Sequence, residues 1–267
     1  MIVDYHMHLR DESGTVVHTA DAAERFAIRA AERNVDEIGF TEHVYVFEQT
    51  RDFWQLPGQV RQCRHDLEVY VEAVSEAKQR GLPVKLGLEV DWVGERADEL
   101  AERLEPYPFD YLLGSVHELD GLHALEAGDG EGAWGKWPEE EVWRRYVDSL
   151  CQAAASGHFD VLSHPDLAKI SGVHGSDECY ADLAEAVDAA RLALEISTAG
   201  LRKPVGELYP DPRLLRLSNA PVTLASDAHA PHRVGENFER AVVLARACGR
   251  DTVTVLENRQ RRQEPLG

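Results

Sequence analysis

Residues 1–8, M-I-V-D-Y-H-M-H, predict the first strand of the protein and half of a metal site. The isoleucine, valine and tyrosine of this stretch are β-forming residues, so it is interpreted as a short buried strand. His6 and His8 come at its end, and residues i and i+2 of a strand point to the same side, so the two imidazoles should project together. Neutral imidazole is the commonest metal ligand in proteins. An H-x-H pair is a weak signal alone, but similar residues follow the later strands.

Short apolar segments alternate with amphipathic segments along the rest of the chain. Further strands are predicted at residues 37–40, 84–90, 110–116, 159–162, 193–196 and 222–225. Helices are predicted at residues 20–34, 60–80, 95–104, 138–156, 177–191, 211–219 and 234–247, with a long loop at residues 120–137 and a frayed tail from residue 257. Seven β–α units without a break in composition predict a single α/β domain over residues 1–267 with parallel strands. The units most simply close into a barrel, and a doubly wound open sheet is the alternative.

The composition excludes several classes of protein. A formal net charge of −20 argues against a general nucleic-acid binder, which needs a basic face. No apolar run approaches membrane-spanning length, so we expect no membrane partner. A cleaved leader would remove the strand that carries His6 and His8, and the four cysteines form no C-x-x-C pair. We therefore expect a cytoplasmic protein with reduced thiols, whose oligomeric state the sequence leaves open.

Imidazoles and carboxylates follow the predicted strands in chain order. They are His6, His8, His43, Glu89, His117, His164, Asp227 and His229. Ligands of α/β proteins gather where parallel strands end, so these side chains should converge. A divalent ion takes about four to six donors, so eight residues predict two or three ions or a set of supporting residues. Glu89, in the middle, is placed to bridge two ions, and such sites suit phosphoryl transfer.

The segments that carry these residues resemble the PHP (polymerase and histidinol phosphatase) family. They are H-M-H, G-F-T-E-H, G-L-E-V-D, G-S-V-H, S-H-P-D and S-D-A-H. The resemblance extends over about residues 2–235, and the segments 114–121 and 197–210 are similar to the stand-alone histidinol-phosphate phosphatases of that family. It implies a distorted (β/α)7 TIM-like barrel with three metal ions.

The resemblance also assigns ligands to each ion. Carried over by motif, the three groups are His6, His8, Glu89 and Asp227; Glu89, His117 and His164; and His43, His229 and His18. The family often has the last histidine in a turn containing Cys or Pro soon after H-x-H. This chain has R-D-E-S-G-T-V-V there, and His18 is the only later histidine before the first helix. Zn, Mn and Fe all suit such ligands.

The implied reaction is hydrolysis of a small phosphate monoester, L-histidinol phosphate, to L-histidinol and phosphate in histidine biosynthesis. Glu89, Asp227 and Arg202 are the expected catalytic residues, with Asp227 accepting a proton from the attacking water. Arg202 is also the first candidate for binding phosphate, because a guanidinium pairs with two oxygens. Lys203, His232 and Arg233 are further substrate-binding candidates. No acid for the leaving alkoxide can be identified.

Carboxylates near the ligands have two predicted uses. Asp4, Glu42 and Asp166 flank ligands and are candidates to accept hydrogen bonds from their imidazoles. The ammonium and imidazole of the substrate call for acceptors, for which the candidates are Glu42, Glu118, Asp120 and Glu207. His65, in a predicted helix, and His158 are expected at the surface.

Two classes of alternative stay open. One is a different hydrolase on the same scaffold, either a phosphoesterase acting on nucleotides or other small esters, or an amidohydrolase. The absence of a lysine at a strand end disfavours the amidohydrolase. The other is a non-catalytic metal-binding module, which a self-contained chain with a full ligand set disfavours.

Overall fold

The computed structural model describes residues 1–121, 123–125 and 132–267. In chain order its strands and α-helices are β1 (Val3–Asp4), α1 (Ala20–Glu32), β2 (Glu37–Phe40), α2 (Pro57–Gln62), α3 (Leu67–Gln79), β3 (Val84–Asp91), α4 (Ala97–Leu104), β4 (Tyr111–Ser115), β5 (Glu118–Leu119), β6 (His123–Ala124), α5 (Ala133–Lys136), α6 (Glu139–Ala155), β7 (Val161–Leu162), α7 (Asp177–Ala190), β8 (Ala193–Ser197), α8 (Pro212–Leu217), β9 (Val222–Ala225), α9 (Phe238–Ala247), β10 (Thr252–Glu257) and β11 (Gln260–Pro265). No helix within these ranges is both long and apolar enough to cross a membrane.

Seven of the strands form a nearly closed parallel barrel. Hydrogen-bonded neighbours follow the order β1, β2, β3, β4, β7, β8, β9, and each pair is parallel. The two edges meet, because the Tyr5 amide donates to Leu224 O at 3.0 Å and the His8 amide donates to Ala228 O at 2.8 Å. The predicted distorted (β/α)7 barrel is confirmed, and the alternative of an open doubly wound sheet is excluded.

A tyrosine fills the barrel interior beneath the carboxyl ends of the strands. Tyr111 is fully buried, and its hydroxyl donates to Tyr5 O at 2.8 Å. The ring crosses between two glycines of neighbouring strands. A Cβ at Gly39 would lie 1.9 Å from the Tyr111 hydroxyl oxygen, and one at Gly87 would lie 2.7 Å from its Cζ. Both glycines are therefore required to make room for the ring.

The prediction of one helix over residues 60–80 is wrong, because the structure has two helices there, α2 and α3. The chain leaves α2 at Cys63 and pairs with an earlier segment, where the Arg64 amide donates to Val46 O at 2.9 Å and the Glu48 amide to His65 O at 2.8 Å. Asp66 then caps α3 by accepting from the Glu68 amide at 2.8 Å. His65 consequently lies outside the helices. The other predicted helices are present with shifted ends, and α9 begins after a 3₁₀ turn at Pro231–Arg233.

The predicted frayed tail is also wrong. β10 and β11 form an antiparallel hairpin, and Val253 and Val255 on β10 are fully buried. The hairpin covers the end of the barrel where the strands begin, since the Met1 amino group donates to Pro265 O at 2.6 Å and Lys85 Nζ lies 2.9 Å from Glu257 Oε1. The alternation of β-formers in T-V-T-V-L-E was the signal for it.

The loop predicted over residues 120–137 has regular structure where it is described. β5 and β6 pair as a short hairpin, and α5 follows before α6. Residues 122 and 126–131 of that predicted loop lie outside the described residues.

The packing of Tyr111 predicts a large effect of a small substitution. Gly39→Ala should lower the free energy of unfolding by about 1–3 kcal/mol, because the added methyl group has no space in the barrel interior. Urea unfolding measures the change. Gly58→Ala is the control, since a Cβ there meets no atom within 4 Å and its stability should not fall. Equal stability of the two variants would contradict the role assigned to Tyr111.

Candidate metal centre

Glu89 lies at the middle of the candidate site, and its two oxygens face different imidazoles. Its side chain is fully buried on β3. Oε2 lies 2.7 Å from His43 Nδ1 and 3.2 Å from His6 Nε2. Oε1 lies 3.0 Å from His164 Nε2 and 3.3 Å from His117 Nε2. The carboxylate thus separates two groups of nitrogen donors, as a bridging ligand must.

Asp227 forms the opposite side of the site. Its Oδ1 lies 3.2 Å from His8 Nε2 and 3.4 Å from His229 Nδ1. The residue has a φ of 50°, in the left-handed region, which aspartate adopts more readily than most non-glycine residues. Two side chains hold this turn. Asp4 accepts from the amide and hydroxyl of Ser226, and Arg202 donates to the Asp227 carbonyl at 3.1 Å.

Eight of the nine predicted metal ligands are brought together. Sets of three donor atoms within 4.8 Å of one another are formed by His6, His8 and Asp227; by His6, Glu89 and His164; by His8, His43 and His229; and by His43, Asp91 and His117. The strand geometry that predicted convergence therefore accounts for the observed cluster.

His18 is the exception. It belongs to none of the donor sets found in the described part of the chain. Its Nε2 lies 3.7 Å from Glu42 Oε2, and its ring packs against Phe47, His65 and Tyr70. The chain after His8 makes a turn closed by a β-bridge between Arg10 and Val16, which carries His18 behind Glu42.

Three buried carboxylates accept from the far side of the ligand imidazoles. Glu195 Oε2 lies 2.7 Å from His6 Nδ1, and Asp91 Oδ1 lies 2.5 Å from His117 Nδ1. Glu42 Oε1 lies 3.1 Å from His8 Nδ1, as expected from the sequence. Such partners fix the tautomer and orientation of a ligand imidazole.

The other two residues predicted to accept hydrogen bonds from the ligand imidazoles bind different groups. Asp4 binds main-chain and hydroxyl groups, and Asp166 binds Lys169 and the Asp211 amide. Glu195 and Asp91 were not predicted as acceptors, although a feature of the sequence indicated each of them. Glu195 is the acidic residue in the apolar strand A-L-E-I-S, and Asp91 follows Glu89 by two residues on one strand.

The electrostatics of the cluster favour ionised carboxylates and divide its imidazoles into two groups. Burial disfavours ionised Glu89, but the surrounding imidazoles outweigh it and hold its pKa well below the ordinary value. The pKa of Asp227 is lowered in the same way against its burial. Burial lowers the pKa values of His43 and His229. For His6 and His117, burial is outweighed by the neighbouring carboxylates, which raise the pKa of both, so these two imidazoles would release a proton on binding a cation.

The donor atoms have unsatisfied hydrogen-bonding capacity. His6 Nε2, His8 Nε2, His43 Nδ1 and Glu89 Oε2 are buried and make no hydrogen bond to any described residue. Buried polar atoms without partners are costly, and these share a preference for a cation. The residues present therefore fit divalent metal ions.

A cavity of about 320 Å³ opens onto this cluster. Lys203 lines it, whereas the other three predicted substrate-binding residues do not. Arg202 donates to Ser226 O at 2.7 Å and pairs with Glu236. His232 pairs with Glu12 at the surface, and Arg233 also pairs with Glu236. Of the two histidines expected at the surface, His158 pairs with Asp98, and His65 lies half-buried beside His18.

Comparisons with known proteins identify a family, relatives along the whole chain and a similar fold. The model of the PHP domain family matches residues 4–199. A relative from Deinococcus radiodurans described as a probable histidinol-phosphatase is 32% identical over 99% of both chains. The histidinol-phosphatase of Lactococcus lactis subsp. lactis is 24% identical over 92% of this chain and 91% of its own. The crystal structure of a histidinol phosphate phosphatase from the same organism, in complex with Zn, L-histidinol and phosphate, has a TM-score of 0.76, with 20% identity and 98% of each chain covered.

The acceptors behind the imidazoles predict a selective loss of metal affinity. Glu195→Gln and Asp91→Asn should each weaken divalent metal binding roughly 10–100-fold although the eight converging predicted ligands are retained. Titration with Zn in the presence of a competing chelator measures this. His158→Ala is the control, because that imidazole pairs with an exposed carboxylate remote from the cluster. Wild-type affinity in both carboxamide variants would rule out the orienting role.

Proposed function

The chain belongs to the PHP domain family, and on that premise we propose that it is a metal-dependent phosphomonoesterase that hydrolyses L-histidinol phosphate to L-histidinol and phosphate. The position of Glu89 is the main support for a phosphoesterase reaction. Its two oxygens face separate imidazole groups at the floor of a cavity. The end-to-end match with relatives described as histidinol-phosphatases supports the substrate.

We propose three divalent ions, of Zn, Mn or Fe, as the cofactors. Two would share Glu89, one held with His6, His8 and Asp227 and the other with His117 and His164. The third would lie between His43 and His229, where His8 and not His18 is the nearest further imidazole. We assign His18 to the support of Glu42. Bound there, divalent ions polarise a phosphate ester and activate water for attack.

The protein's own residues would carry the remaining steps. Asp227, ionised at neutral pH, would accept the proton of the attacking water. Lys203 lines the cavity and would bind the phosphate dianion. Arg202 would act by holding the turn of Asp227 through the Ser226 and Asp227 carbonyls, in place of the phosphate contact expected from the sequence. Glu89 would contribute as the bridging ligand.

The cavity supports a small substrate over a nucleic acid. Its volume of about 320 Å³ is at the lower end of the range of roughly 300–1,000 Å³ that is typical of small-molecule sites. The acidic side chain of Glu118 lines it, which favours an ester that carries a cationic group over an anionic nucleotide. We therefore place the nucleotide phosphoesterase second and propose no nucleic-acid or membrane partner.

The domain and location form part of the same proposal. We propose one PHP-type domain over residues 1–267, since β9 closes the barrel against the segment after β1 and β10–β11 covers its far end. A role in histidine biosynthesis would place the protein in the cytoplasm.

Phosphate release from a panel of esters tests the reaction. The protein, loaded with Zn, Mn or Fe, should hydrolyse L-histidinol phosphate with a higher kcat/KM than p-nitrophenyl phosphate or nucleoside monophosphates. Prolonged chelation should abolish the activity, and metal should restore it. Hydrolysis of a nucleotide with the same kcat/KM as L-histidinol phosphate would overturn the proposed substrate. Failure of the metal-loaded protein to release phosphate from any ester would overturn the proposed phosphatase activity.

The two basic residues after β8 should behave differently. Lys203→Ala should lower kcat/KM roughly 10–100-fold for every ester and leave metal content unchanged, because a hydrogen bond to a charged group is worth about 1.5–3 kcal/mol. Arg202→Ala should lower the metal content as well, because it releases the turn of Asp227. Steady-state kinetics with elemental analysis separates them. Loss of activity in Arg202→Ala at full metal content would instead indicate that Arg202 binds the phosphate.

A further inference from the structure

A glutamine and a glutamate form a buried pair on the wall of the cavity. Gln59 lies on α2 and Glu118 on β5, directly after the ligand His117. Both line the cavity, yet they are only 6% and 8% exposed. Gln59 Nε2 donates to Glu118 Oε2 at 2.6 Å. The two segments are distant in the sequence, so the pair is made by the tertiary structure.

The pair leaves acceptor capacity unused. Gln59 Oε1 is buried and has no hydrogen-bond partner among the described residues. Among the described residues no lysine or arginine pairs with Glu118, whose hydrogen-bond donor is the Gln59 amide. A buried acceptor without a donor costs free energy, and a ligand that brings an N–H group into the cavity would remove that cost.

The other acidic candidates at this end of the barrel are already committed. Glu42 contacts His8 and Arg10. Asp120 is turned outward and pairs with Arg145 at 3.0 Å. Glu207 lies near Lys169 and His174, at 3.5 and 3.4 Å. Glu118 is thus the carboxylate of the four that is available to a ligand in the cavity.

We propose that Gln59 and Glu118 form the subsite that binds the N–H donors of the substrate, a protonated amine or an imidazole, while the phosphate lies at the metal ligands. This inference rests on the proposed function and adds the residues that select the substrate. The paired amide fixes the carboxylate, and its free oxygen supplies a second acceptor beside it. An ester without an N–H group would leave both acceptors unpaired, and sites of this kind reject such analogues strongly.

The test compares esters that differ in their N–H groups. They are L-histidinol phosphate, its analogue without the amino group, phosphoethanolamine, and p-nitrophenyl phosphate as the ester without an N–H donor. Glu118→Gln and Gln59→Leu are measured against wild type by kcat/KM and metal content. Asp120→Asn is the matched control, because it removes a carboxylate from the same hairpin, and asparagine suits its positive φ.

We expect both variants to lose roughly 10–100-fold in kcat/KM for the ester whose N–H group binds there, mainly through KM, with full metal content and unchanged hydrolysis of p-nitrophenyl phosphate. Loss for phosphoethanolamine identifies the amine as the bound group, and loss for the deaminated analogue identifies the imidazole. An equal loss for all four esters, or a loss of metal, overturns the subsite and assigns the pair to the support of His117.

The inference and the proposed function fail in different ways. If wild type shows no preference for L-histidinol phosphate, the proposed substrate is wrong. The subsite is still decided by whether Glu118→Gln changes the ratio between phosphoethanolamine and p-nitrophenyl phosphate. An unchanged ratio for every N–H-bearing ester overturns it.

Discussion

A carboxylate that is buried in the barrel and pairs with no lysine or arginine of the described residues imposes the strongest constraint on this structure. Glu89 is fully buried, and the groups around its oxygens include five imidazoles and the hydroxyl of Ser115. An ionised carboxylate is expensive to remove from water unless opposite charge compensates it. The strands that surround Glu89 therefore bring nitrogen donors to one point, and a cation bound among them would supply opposite charge.

Closure of the barrel and assembly of the site depend on the same hydrogen bonds. The segment after β1 carries His6 and His8, and the segment after β9 carries Asp227 and His229. The His8 amide donates to Ala228 O at 2.8 Å, and the Ala228 amide lies 3.4 Å from His6 O. A register shift at this seam would displace His6 and His8 relative to Asp227 and His229, so bound metal and barrel closure would reinforce each other.

Local periodicity was sufficient to predict seven β–α units and the convergence of the ligands, because strand geometry and parallel topology fix where side chains meet. The choice of a barrel over an open doubly wound sheet drew also on the family resemblance. Periodicity was insufficient wherever a distant segment decided the conformation. The break between α2 and α3 depends on main-chain pairing of Arg64 and His65 with residues some seventeen positions earlier. Arg202 faces carbonyl groups of the turn of Asp227, which no local pattern encodes. Gln59 and Glu118 meet across 59 positions of the chain.

The tyrosine layer under the site has a consequence for the order of events at the metals. Tyr111 and the glycines beside it close the barrel interior below Glu89, and Leu113 and Ser115 continue the filled core up to that carboxylate. The route to the cluster is therefore the mouth of the cavity, which the ester and the departing phosphate share. Ions bound at the cluster would be trapped behind an occupied mouth, so exchange of metal with solution would be confined to the interval after product has left.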